Sequence, residues 1–163
     1  MIPKTKPWLK VTGGGALAIA VALAGYFEGE QLTAYHDPGN GTPTLCDGET
    51  HGVFMGMTAT HEECQAWLAK GMQQRIDFIN SHMVDHQPET RQAALADFVY
   101  NEGEGTFLKS SIFRDINNGH IQKGCDELHL YNIAGGKILP GLAARREAEY
   151  QLCIEGLPNA NSH

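Results

Sequence analysis

Charge is the first thing in short supply. No side chain between Lys10 and Glu28 is charged, and no acidic residue precedes Glu28. Lys4, Lys6 and Lys10 take three of the 12 basic residues, leaving 9 against 19 acidic ones in the rest of the chain. A body with 10 surplus negative charges repels a nucleic-acid backbone at long range, so no nucleic-acid partner is expected. There is no Walker sequence and no dinucleotide-type glycine motif. No two cysteines have zinc-finger spacing, so neither a metal nor a cofactor is expected. No internal repeat appears. Only four cysteines are present, Cys46, Cys64, Cys125 and Cys153, and in an oxidising compartment they allow three pairings of two disulfides. The hydrophobic fraction of 42% suffices for a folded core, and 163 residues fit one domain plus a short extra segment.

That segment is the uncharged run Val11 to Phe27, 17 residues long. A bilayer core takes about 20 apolar residues, with a lower limit near ~17. The run is also weak in composition: glycine stands at 13, 14, 15 and 25, and alanine at 16, 18, 20, 22 and 24. Its strong contributors are Val11, Leu17, Ile19, Val21 and Leu23. Lysines before it and acids after it place the N-terminus in the cytoplasm and the body outside. A buried core helix is disfavoured by the lysine flank and by the lack of an amphipathic period. Two readings remain open. A cleaved signal peptide would use Ala22-Leu23-Ala24 as its small-residue site, leaving only Gly25, Tyr26 and Phe27 ahead of Glu28. An uncleaved anchor would insert and later leave the bilayer, and weak hydrophobicity suits a reversible anchor.

Glu28 opens the stretch most suggestive of chemistry. Asp37 follows after eight intervening residues, and Pro38-Gly39-Asn40-Gly41 marks a turn. Thr42, Thr44 and Leu45 favour a short strand, Asp47-Gly48 a second turn, and Gly52-Val53-Phe54 a third strand. The expectation is a small β-meander packed on helices, facing Glu28 across a cleft. Two carboxyls so placed suit glycoside hydrolysis. One protonates the leaving oxygen; the other activates water or attacks directly. Thr44 would hold that water. As a bare spacing the pattern is weak, since Glu28, Glu30 and Asp37 also read as solvated acids and Asp37 as an ordinary turn residue.

The remainder is helical. Thr60-His61-Glu62-Glu63 reads as a capping box ahead of a helix of about five turns, with Cys64, Trp67, Leu68, Met72, Ile76 and Ile79 at helical spacing. Trp67 is expected in its core rather than on a sugar. Pro88-Glu89 starts the next helix, which buries Leu95, Phe98 and Val99 and ends near Asn101 and Gly103. A short helix capped by Ser110 or Ser111, another over 121–130, a loop over 131–136 and a helix over 141–155 follow, then a polar tail.

Glu28-Gly29, Tyr35 and Asp37 resemble the catalytic signature of the phage T4-type lysozymes, glycoside hydrolase family 24. In that family a threonine follows the aspartate after five residues, where this chain has Pro43; Thr42 and Thr44 flank it. Thr44 is preferred because Thr44-Leu45-Cys46-Asp47-Gly48 is similar to the Thr-Val-Cys-His-Gly run of signal-anchor-release endolysins of the lambdoid phage 21 type. Phe98-Val99-Tyr100-Asn101, the glycines at 103 and 105, Ala134-Gly135-Gly136-Lys137, Gly141-Leu142 and Arg145-Arg146-Glu147 resemble further motifs of that group. A tryptophan common before the glycine pair is absent, with Tyr131 the nearest aromatic.

The resemblance implies an α+β, lysozyme-like fold: mostly helical, a small β-meander, and a sugar cleft between two lobes joined by the long helix after Thr60. It implies an anchor over 1–27 that spans the host inner membrane through 11–27, and a catalytic domain over 28–163. The implied protein is a monomeric muramidase exported by the host secretion machinery, inactive while tethered and freed into the periplasm. Its partner is the peptidoglycan glycan strand. Glu28 is the implied general acid, and Asp37 with Thr44 positions the water. Asn101, Tyr35 and Arg146 are the implied substrate contacts; Arg145 and Arg146 either bind acids of the glycan's peptide stem or pair with Glu147 and Glu149, and pairing is preferred for one of the two. Ordinary disulfides Cys46–Cys64 and Cys125–Cys153 are expected. A lytic transglycosylase, or an inert wall-binding protein on the same fold, are the alternatives.

Overall fold

The computed structural model describes residues 6–158, with the backbone alone for 11–13. Lys4 of the basic flank and the polar tail beyond Pro158 lie outside the described residues.

Pro7–Gly14 forms a 3-10 helix, and the chain then turns at Gly15, whose φ is 84°. Helix α1, Gly15–Glu28, buries Ile19, Ala20, Leu23 and Ala24 completely. It packs on the 3-10 helix, on α2 (His61–His82) and on α3 (Glu89–Glu102). The structure therefore seats the apolar run as a core helix, the arrangement that its sequence argued against. The missing period has a simple cause. The other face carries Leu17, Val21 and Ala22, half-buried, so one-sided burial leaves no polar stripe. At about 1.5 Å per residue, 14 residues reach roughly 21 Å, short of a ~30 Å hydrocarbon core. No helix among the described residues is long and apolar enough to cross a membrane.

Strands β1 (Gln31–His36) and β2 (Pro43–Cys46) pair antiparallel, with Gln31 opposite Cys46, Tyr35 opposite Thr44, His36 opposite Pro43 and an irregularity between Gln31 and Tyr35. The third strand expected at 52–54 does not form. Gly52 and Gly56 take positive φ (70° and 97°), which breaks an extended run. The return to β1 comes later: Thr58 bridges Thr33, and Ala59 donates to Leu32 O at 2.9 Å.

The capping box forms as expected: Glu63 N donates to Thr60 Oγ1 at 3.1 Å, and Thr60 N to Glu63 Oε2 at 2.8 Å. The α2 helix it starts has 22 residues, about six turns rather than five. Helix α3 is the centre of the molecule, with residues 91–99 all buried. It packs on α1, α2 and α7 (Pro140–Ile154). Between them run α4 (Glu104–Lys109), α5 (Ser111–Asn117) and α6 (Ile121–Asp126), which tightens into a 3-10 turn over Glu127–Leu130. Ser110 caps α5 through Phe113 N at 3.2 Å. The segment read as a loop over 131–136 holds a small hairpin, β3 (Ile133–Ala134) with β4 (Lys137–Ile138). Gly135 and Gly136, both at positive φ, supply its two-residue turn.

Both expected disulfides are present. Cys46–Cys64 ties β2 to α2, and Cys125–Cys153 ties α6 to α7.

Candidate active site

A cleft of about 740 Å³ opens between α2 and the turns after β2, within the roughly 300–1,000 Å³ usual for ligand sites. Glu28 lines it, where α1 stops before Gly29. One wall is Asp47 to His51; the opposite wall is Trp67, Gly71, Gln74 and Arg75 of α2; Tyr100 and Asn101 from the end of α3 close it. Trp67 is 36% exposed on that wall, which corrects its expected place in the core. Its position on α2 points it away from the buried stripe of Cys64, Leu68 and Met72.

Glu28 is held by Arg145, whose Nη1 donates to its Oε1. Arg145 in turn grips Asp97 in a two-bond fork, Nε to Oδ2 at 2.9 Å and Nη2 to Oδ1 at 2.8 Å. Burial alone would lower the Arg145 guanidinium, but Asp97, Glu28 and Glu149 more than offset this and hold it charged. Burial likewise works against the Asp97 carboxylate, yet Arg145 keeps it below the usual range. Burial and the neighbouring Asp97 push Glu149 well up. The two neighbouring carboxyls are thus pushed in opposite directions, Asp97 down and Glu149 up.

The other proposed site residues are placed differently. Asp37 sits at the turn after β1, where its Oδ1 accepts from Gly39 N at 2.7 Å and Asn40 N at 3.2 Å. Both bonds use Oδ1, so Oδ2 is not committed to the turn. Thr44 is buried and its Oγ1 donates to Thr42 O at 2.9 Å, so towards any water it can only accept. Tyr35 stands opposite it, half-buried. These three share the hairpin beside the cleft, whereas Asn101 lines the cleft with Glu28. Arg146 has no exposed surface. It donates to Asn101 Oδ1, lies 3.1 Å from Glu149 and 3.4 Å from Glu102, and stacks 5.0 Å from the Phe98 ring centroid. It reaches the cleft only through Asn101, so the structure places it as a support rather than a substrate contact. Neither arginine pairs with Glu147, which bonds His129 and Gln151 instead.

Asp47 escaped notice in the sequence as a turn residue before glycine. It is 3% exposed, lines the cleft, and neither carboxyl oxygen has a hydrogen-bond partner among the described residues. The positive φ of Cys46 (57°) and the bond from Tyr100 Oη to Asp47 O at 2.8 Å fix it there. Burial, then the charges of Glu30 and Glu28, raise its carboxyl to about 6. An unfolded aspartate sits near ~3.9, so the folded state holds the extra proton between these values. The associated stability is full below about 4 and is lost as pH rises through about 6. Asp47→Asn should therefore be more stable than the parent at pH ~8 by on the order of 2 kcal/mol, with little difference at pH ~4. Thermal unfolding at the two pH values measures it.

Comparison with known proteins identifies the family and the fold. The chain is 39% identical over 151 residues to the SAR-endolysin of Enterobacteria phage P21, covering 88% of this chain and 91% of that one. Among solved structures, the active form of P1 phage endolysin Lyz superposes with a TM-score of 0.78 at 27% identity, covering 94% of both chains. The secreted inactive form of the same endolysin reaches only 0.51 at 26% identity, covering 67% of this chain and 78% of that one. The fold is thus the α+β lysozyme type, and the arrangement is closer to the active form. The phage lysozyme family model matches residues 25–149, a span that begins just ahead of Glu28 and closes beyond Arg145, which holds it; the chain belongs to the phage lysozyme family.

Proposed function

We propose that the protein is a phage endolysin acting as a muramidase on the β-1,4 bond between N-acetylmuramic acid and N-acetylglucosamine. The observation that carries this reading is Glu28 lining the cleft, clamped from α7 by Arg145. Glu28 protonates the bridging oxygen as its bond to the muramic C1 breaks, and a water adds to C1. Asp37 orients that water through its uncommitted oxygen and takes the proton the water loses, with the Thr44 oxygen as a second acceptor. Asn101, braced by Arg146, meets the sugar on the cleft wall, and Tyr35 meets it from the hairpin. Mass spectrometry of digested murein tests the reaction. Hydrolysis gives reducing-end muropeptides; anhydro products would show a lytic transglycosylase, and no products an inert wall-binding protein.

Residues 11–27 serve first as the membrane tether and later as α1. The lysine flank supports a cytoplasmic N-terminus, export by the host secretion machinery, and later release to the periplasm. While the run spans the inner membrane, Ile19 and Leu23 are withdrawn from the core and Glu28 is pinned at the membrane surface. The tethered protein is therefore inactive, and the free protein active.

A further inference from the structure

We propose that Trp8 is a positioning residue for Glu28, engaged only after residues 11–27 have left the membrane. The second half rests on the tether reading above.

Trp8 lies before the apolar run, and Tyr26 and Phe27 end it. With the run across a hydrocarbon core of about 30 Å, Trp8 stays with the cytoplasmic lysines while Tyr26 and Phe27 emerge on the opposite face. In the structure the three rings are in contact. The Trp8 ring stacks on Phe27 with centroids 5.6 Å apart and planes at 28°, and meets Tyr26 edge-on at 5.1 Å. Trp8 is 3% exposed. The reversal that brings it there is the 3-10 helix Pro7–Gly14, folded back on α1 through the positive φ of Gly15. A straight spanning helix and this ring cluster exclude one another.

The cluster abuts the catalytic end of α1. The Arg145 guanidinium carbon lies 5.8 Å from the Phe27 ring centroid, and Arg145 donates to Glu28. Tyr26 also meets Phe27 edge-on at 4.8 Å. Trp8 is thus the far wall of a stack running through Phe27 to Arg145 to Glu28. Removing the indole leaves the Phe27 ring room to tilt, and Arg145 and the Glu28 carboxyl move with it. A displaced acid lowers turnover more than it lowers glycan binding, because the cleft walls come from α2, α3 and the turns after β2.

The test is Trp8→Ala beside Trp8→Phe in the full chain. Soluble, released Trp8→Ala should show kcat reduced about tenfold or more with KM within about twofold, and Trp8→Phe should recover most of the loss. Loss of burial alone would lower Tm and leave the kcat of folded protein unchanged, and that outcome overturns the positioning role. Should Trp8→Ala fail to fold, Trp8→Leu takes its place: a reduced kcat with KM held supports the positioning role, and an unchanged kcat overturns it.

Fluorescence reads the release step. With Trp67→Phe, Trp8 is the only tryptophan left. Its emission should be short-wavelength and shielded from acrylamide in soluble protein, but quenched in inverted inner-membrane vesicles holding the tethered form. Equal shielding in both pools overturns the dependence on release. If the parent never sediments with membranes, the tether reading fails by itself, and the kcat comparison on soluble protein still decides what Trp8 does for Glu28.

Discussion

Glu28→Gln protein should fold and fail to clear a murein suspension. The amide keeps the shape of the side chain and its oxygen can still accept from Arg145, but it has no acidic proton for the leaving oxygen. General acid catalysis contributes about 100- to 10,000-fold, and the loss of lytic rate should fall in that range. The fold has reason to survive. Arg145 keeps its fork on Asp97, and Glu149 lies 3.8 Å from its Nε. The buried charge pair most costly to break is therefore left intact. Turbidity clearing and thermal unfolding should be measured on the same preparation. Normal clearing by a well-folded Glu28→Gln protein would remove Glu28 from its role.

The second large effect is expected from Gly15→Leu, because one substitution acts on both states of the same segment. In a membrane-spanning helix it relieves a glycine cost of about 1 kcal/mol and adds leucine insertion of roughly 0.3–0.6 kcal/mol. In the released fold Gly15 has φ 84° and ψ 172°, a region essentially reserved for glycine that costs a side-chain-bearing residue about 1–3 kcal/mol. Steric room is not the issue, since a Cβ there would meet only Glu89 Oε1 at 3.6 Å. The sum, about 2–4.5 kcal/mol, shifts the tethered-to-released ratio roughly 30- to 1,500-fold at about 1.4 kcal/mol per factor of ten. The ratio of sedimenting to soluble protein after treatment with an uncoupler reports it, together with delayed host lysis. An unchanged ratio would sever the link between release and the bend at Gly15.

What could be read from the chain depended on the range of the interaction. The Thr60 capping box, the Ser110 cap and the Gly103 helix end lie within three or four residues of what they stabilise, and all were legible. The seat of α1 was not, because an alanine-rich helix that is half-apolar all round carries no polar stripe. The hairpin at 133–138 was missed because each strand has only two residues. Its glycine pair was noticed only as part of a motif. At the site, Glu28 and Asn101 were legible and do line the cleft. The partner of Glu28 was not, since Arg145 lies 117 positions away and its nearer acids looked sufficient. One local sign existed: Asp97 is a charged residue inside the apolar stretch Leu95 to Val99, and a buried carboxylate needs a cation. Asp47 gave no sign, because its burial comes from the disulfide at Cys46 and from Tyr100.

The two disulfides have a consequence for the order of events. They join β2 to α2 and α6 to α7, and neither includes α1. Closing loops with separations of 18 and 28 residues, each lowers the entropy of the unfolded body by about 3 kcal/mol equivalent, whether or not α1 is in place. In the proposed sequence of events, oxidation therefore shapes the socket first and α1 arrives as its last, non-covalent piece. Onset of lysis is then governed by a docking step. It needs no thiol exchange, proceeds at the speed of a helix finding its seat, and can be slowed or hastened by single residues along one face of α1.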